Sequence, residues 1–161
     1  MKITLVNQTE KNKFTISEKK INRLVDSICN ELKAKKIKNK IILNKNELTC
    51  VFLTKKEMQI LNTNFRNKKK PTDVLSFQPV EVHSVGELVF CPDVLVIQAK
   101  KQKHSLSDEF MYMLIHGLLH LLGYDHEISA KAEKLMFNLQ DSVFDQLTQH
   151  QLNLDCIRLK K

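Results

Sequence analysis

The segment SDEFMYMLIHGLLHLLGYDH, residues 107–126, organises the rest of the chain. Ser107 can cap a helix, and Asp108 and Glu109 then fall in its first turn, where the helix dipole favours anions. From Phe110 onward the segment is apolar nearly all round, which predicts a central helix buried on more than one side. Gly123 suits the left-handed position just past a helix end. His116 and His120 interrupt the apolar run. Four residues apart, they share one helix face about a turn from each other. His126 follows three residues after the glycine, where a reversing chain can return it to that face.

A single histidine on a buried helix is an ordinary hydrogen-bonded core residue. Two at this spacing each need a buried partner, and an unsatisfied polar group costs roughly 1–3 kcal/mol. One metal ion satisfies both. Three neutral imidazoles also leave the fourth position of a zinc ion open, the pattern of a catalytic rather than a structural site. The sequence therefore predicts one zinc ion per chain on His116, His120 and His126.

The same spacing occurs in the zinc-protease pattern H-E-x-x-H-x-x-G-x-x-H. Its glutamate activates water and carries a proton to the leaving amine. Here that position is Gly117, which can do neither, so the spacing points to a metal hydrolase while the glycine argues against a peptidase. A phosphodiester asks less of a carboxylate, because its transition state needs charge neutralisation more than a strong base. Zinc can acidify water to a pKa of roughly 7 with no glutamate present. A side chain at 117 is expected to project toward the cleft, so that glycine leaves room for a nucleotide. The competing expectation is that Gly117 only lets another element pack closely.

The wider composition is that of an ordinary globular protein. The chain has 161 residues, 42% of them apolar and 27% charged, which predicts a single domain over residues 1–161. The N-terminus turns polar within seven residues, and the longest apolar run is too short and too polar to span a bilayer. The expected compartment is the cytoplasm, with no membrane partner. Cys29, Cys50, Cys91 and Cys156 are scattered without a CxxC pair and read as buried thiols. The net charge of +8 favours polyanionic partners such as nucleic acid. Lysine and asparagine richness can also arise from codon bias.

Other segments predict a small α+β fold with a mixed β-sheet and a central metal-binding helix. Ile3–Asn7 reads as a strand. A helix follows from a cap at Ser17 to about Lys36, burying Ile21, Leu24, Val25, Ile28 and Leu32. Glu47–Thr54 reads as a strand, and the next residues as a short helix with Met58, Leu61 and Phe65 inward. After a basic turn, Arg66–Asp73, come strands at VLSF and GELVF. Pro92 suits the first turn of a helix, and Ser129 opens a last helix reaching about Thr148.

Several further residues are candidates. Arg66 ends the short helix, where a guanidinium can grip a phosphate bidentately. From the residues alone an ordinary surface arginine is the simpler reading. Lys68, Lys69 and Lys70 are a solvated lysine run or, more sharply, an RNA-steering patch. Asp125 can orient a ligand imidazole, serve as a base or make the turn. Asp73 and Glu87 fall near strand ends. His83, His104 and His150 lack a partner at ligand spacing and read as surface residues.

HGLLHLLGYDH (His116–His126) resembles the signature of the YbeY family of bacterial endoribonucleases. LNTNFR (Leu61–Arg66) and TDVLSF (Thr72–Phe77) are similar to two further family blocks in the same order. The resemblance spans about residues 55–126. One departure is visible, Gly86-Glu87-Leu88 where the family usually has Gly-Asp-Ile. The resemblance implies a zinc-dependent, single-strand-specific endoribonuclease acting in ribosomal RNA maturation, above all at the 3′ end of the small-subunit RNA, and in ribosome quality control. It implies single-stranded or ribosomal RNA as substrate, with ribosomal proteins and a ribosome-assembly GTPase as partners. It places the metal on the three histidines and makes Arg66 functional. The alternative is a non-catalytic, zinc-stabilised ribosome-assembly factor that binds RNA or protein. A zinc peptidase stands third, weakened by Gly117.

Overall fold

A computed structural model describes residues 1–10, 13–37, 47–81, 83–149 and 155–160. Four strands form a mixed sheet in the order β1-β3-β5-β4: β1 (Lys2–Asn7), β3 (Glu47–Phe52), β4 (Val74–Phe77) and β5 (Ser84–Phe90). β3 pairs in parallel with both β1 and β5, and β4 returns antiparallel along β5. A second, two-stranded antiparallel sheet joins β2 (Phe14–Ile16) to β6 (Ile157–Leu159). The sequence reading did not include this pair. Three-residue strands are too short to show a period, and their partners lie at opposite ends of the chain.

Helix α1 (Glu18–Ala34) carries the expected buried stripe, with Ser17 as its cap accepting from the Lys20 N–H. Thr54 and Glu57 form a reciprocal capping box at the start of α2 (Lys55–Arg66). Pro92 opens α3 (Pro92–Gln102). The helix that carries His116 and His120, α4 (Leu106–Leu121), begins two residues earlier than expected because Ser105, not Ser107, is its cap. The Ser105 hydroxyl accepts from Asp108 N–H and Asp108 reaches back to Ser105. The Ser107 hydroxyl is instead buried and donates to the Ile157 carbonyl, tying α4 to β6. Ser129 precedes α5 (Ala130–Gln149) and its hydroxyl accepts from Ala132 N–H.

Alternation along β3 divides the molecule. Leu48, Cys50 and Phe52 face the main core, where the rings of Phe52, Phe90 and Phe110 pack together under α1 and α4. Val51 faces the other side with Leu53, Met58, Leu61 and Val89, a smaller cluster beneath α2. α4 packs on β4, β5, β6, α3 and α5 at once, which explains its nearly continuous apolar sequence. One expectation about α2 changes. Phe65 lies outward, 65% exposed, while Asn62 takes the buried position and donates to the Lys70 carbonyl. All four cysteines are buried and free. Burial pushes the Cys50 and Cys156 thiols up to about 12, so neither is a ready thiolate. Among the described residues, no helix is long and apolar enough to cross a membrane.

Candidate metal centre

The C-terminal half of α4 and the loop after it build one wall of a cleft of about 900 Å³. α4 ends at Leu121, and Gly123 adopts φ +92°, the left-handed turn that reverses the chain. His126 thereby returns over the helix. One ligand atom from each of His116, His120 and His126 lies within 4.8 Å of the others. Their ring centroids are 4.7–5.1 Å apart. Phe137 of α5 packs on His116 and His126 and walls off one side.

The donor set fits a metal ion. His116 Nε2 and His120 Nε2 face each other at 3.1 Å. His126 Nδ1 is buried with no hydrogen-bond partner among the described residues. Burial lowers the pKa of both His116 and His120, and their mutual proximity to other imidazoles pushes the same way. Neutral imidazoles with converging electron pairs are what a divalent cation requires.

Arg66 and Glu127 meet within the same cleft, Nη2 to Oε1 at 2.5 Å. The pair links the end of α2 to the loop that carries His126. Lys68 lines the cleft beside Arg66, whereas Lys69 and Lys70 are exposed and outside its lining. Asp125 lines it too, and its Oδ1 accepts from Glu127 N–H. Of the three roles open to Asp125, shaping the turn has this hydrogen bond behind it. Asp73 also lines the cleft, with Oδ1 accepting from Val74 N–H and Oδ2 from the Gln98 amide. Glu87 does not. It lies exposed on the opposite face of the sheet, in a second cavity that shares Phe65, Phe77 and Gln78 with the first.

His83 is exposed, as expected. His104 is not a simple surface residue, since it is half-buried and pairs with the buried Glu109. His150 lies outside the described residues.

The expectation for Gly117 is corrected. Residue 117 lies about 100° around the helix from His116, and it faces the sheet rather than the cleft. A Cβ there would stand 2.7 Å from Leu88 Cδ2, 3.1 Å from Leu88 Cδ1 and 3.4 Å from Ser76 Oγ. Close packing of α4 on β5 accounts for the glycine, and the room-for-a-nucleotide reading fails.

Sequence reasoning missed several residues of the cleft region, Phe137, Glu127 and Gln140 among them. Glu127 directly follows the third histidine but carries no spacing signal. Gln140 is fully buried on α5 and holds His116 Nδ1 at 2.9 Å. A signal existed for it, because Gln140 falls in the apolar stripe of Met136, Val143 and Leu147. A lone amide in such a stripe needs a buried partner.

Known proteins resemble this chain over most of its length. The family model described as Endoribonuclease YbeY matches residues 5–148. A protein named Endoribonuclease YbeY from Bdellovibrio bacteriovorus is 44% identical over 147 residues, covering 91% of this chain and 95% of the relative. Another of that name, from Sulfurihydrogenibium sp., is 33% identical, covering 88% and 97%. The solution structure of TM1509 from Thermotoga maritima superposes with a TM-score of 0.60 at 27% identity, covering 94% of this chain and 93% of that one. A sequence that matches the family over most of its length and brings that signature's three histidines to one point belongs to the YbeY endoribonuclease family.

Proposed function

We propose that this chain is a zinc-dependent endoribonuclease that cuts single-stranded RNA and acts in ribosomal RNA maturation, including the 3′ end of the small-subunit RNA and ribosome quality control. The observation that carries the reading is the convergence of three imidazoles in a cleft that also holds Arg66. His116, His120 and His126 would hold the ion. When bound, zinc supplies Lewis acidity toward a phosphoryl oxygen and acidifies water.

The chain's own residues supply the rest. Arg66 exchanges its carboxylate partner Glu127 for a phosphate, and its planar fork offsets charge gathering at phosphorus. Lys68 adds a point charge beside it, and Lys69 and Lys70 raise the local concentration of RNA without touching the reacting bond. Asp125 fixes the turn that presents His126. Phe65 stands exposed between the two cavities, edge-on to Phe77 with ring centroids 5.0 Å apart. Its free face can stack an unpaired base, which a duplex cannot offer. This supports single-strand preference.

The family resemblance extends the reading to a cytoplasmic protein whose residues 1–161 act as one unit. It also extends it to ribosomal proteins and a ribosome-assembly GTPase as partners. The test is cleavage of end-labelled RNA, single-stranded against duplex, by chelator-stripped protein with and without added zinc. Cutting of the single strand only, only with zinc, and not by His116→Ala, is the expected result. Cleavage that survives in His116→Ala would remove the metal centre from the reaction.

A further inference from the structure

Gln140 is fully buried, yet it is a primary amide with two donors and an acceptor to satisfy. Its orientation is fixed from outside the metal centre. Nε2 donates to the Tyr112 carbonyl one turn before His116 on α4, at 3.3 Å. That leaves Oε1, which can only accept, aimed at His116 Nδ1 at 2.9 Å. An acceptor there requires Nδ1 to carry the proton. The electron pair then resides on Nε2, the atom that faces His120 Nε2 at 3.1 Å. An imidazole left to itself favours the opposite tautomer. His126 Nδ1, by contrast, has no partner among the described residues. Gln140 is thus a side chain on a different helix, dedicated to one ligand.

We propose that Gln140 is a positioning residue for the metal centre. It locks the tautomer and the ring plane of His116, so that Nε2 is ready to ligate before any ion arrives. This rests on the three-histidine reading above. Outer partners of ligating histidines typically contribute 10–100-fold in metal affinity. The amide also explains how α5 bears on the site: a helix that contributes no ligand holds one in place.

The experiment combines nitrogen-15 spectra of the imidazoles with zinc affinity from competition against a chromophoric chelator. In metal-free wild-type protein, His116 should show a proton on Nδ1 and none on Nε2. Gln140→Met, which keeps the length and removes both polar groups, should release that tautomer preference and weaken zinc binding about 10–100-fold. Gln140→Glu, which keeps an acceptor for Nδ1–H, should retain the tautomer and bind zinc within a few-fold of wild type. His126→Ala separates the two readings. If it binds zinc as tightly as wild type, the three-histidine centre itself is wrong. If it loses zinc while Gln140→Met retains wild-type affinity and tautomer, only the role of Gln140 is overturned. Should Gln140→Met fail to fold, the wild-type spectrum decides, and a proton on His116 Nε2 would overturn the proposal.

Discussion

Arg66 Nη2 and Glu127 Oε1 lie 2.5 Å apart, and that ion pair occupies the guanidinium that a phosphate would need. Both side chains are partly solvated, so the pair is worth little in stability and is easily exchanged. Arg66→Ala should therefore keep the fold and the metal while losing roughly 10²-fold or more in RNA cleavage, the scale of removing one charge-stabilising donor. Arg66→Lys should recover only part of it, because a point charge does not reproduce the fork. Cleavage rates of purified, metal-loaded variants check this, and an alanine variant at wild-type rate would remove Arg66 from the mechanism.

Freeing the arginine should have the opposite sign. Glu127→Gln removes the competing carboxylate and leaves the backbone contact to Asp125 intact. RNA should bind more tightly, most clearly at low salt. Fluorescence anisotropy of a labelled single strand across salt concentrations measures it. Unchanged affinity at low salt would mean that Arg66 does not meet the phosphate.

Asp125→Asn separates a turn residue from a base. The amide oxygen can still accept from Glu127 N–H, so the loop should hold and most cleavage should persist. A collapse of cleavage with zinc binding intact would make Asp125 the base instead.

Gly117 gives a packing prediction. Gly117→Ala places a methyl against the buried Leu88, an overpacking that costs about 1–3 kcal/mol, offset by up to about 1 kcal/mol of helix propensity. A net loss of about 1 kcal/mol is expected in urea unfolding, with zinc affinity little changed. In the Leu88→Ala background the same change should cost less. Gly117→Glu would force a carboxylate into that packed layer and should not fold stably.

The metal-free protein should weaken as pH falls. Burial holds His116 and His120 below their ordinary value of 6.5. Above that pH both folded and unfolded chains carry these rings neutral. Below it the unfolded chain takes up protons first, so stability declines from about pH 6.5 toward the lower folded-state values. Urea midpoints of chelator-treated protein at pH 7.5, 6.0 and 5.0 should fall, and His116→Gln/His120→Gln should flatten the decline between the first two.

The helices and the main sheet were legible because their signals are local. Ser17 and Pro92 announce helix starts, and the stripe of α1 repeats over several turns. The histidine triad was legible because helix spacing and one left-handed glycine fix it. Ser105 was overlooked in favour of Ser107 because both precede acidic residues, and only the contact with β6 reveals that Ser107 is needed elsewhere. The facing of Gly117 depends on which side of α4 meets β5, a tertiary fact. Phe65 turns outward rather than inward for a similar reason: a buried position of α2 goes to Asn62, to which the Lys70 carbonyl, eight residues on, gives an interior partner.

One titration bears on the whole account. Chelator-stripped protein receives zinc in fractional equivalents, and the initial rate of single-stranded RNA cleavage is read at each addition. The rate should start near zero, rise linearly and break at one equivalent per chain. Full activity before any zinc is added, or a rate that ignores the metal throughout, would contradict a reaction built on His116, His120 and His126.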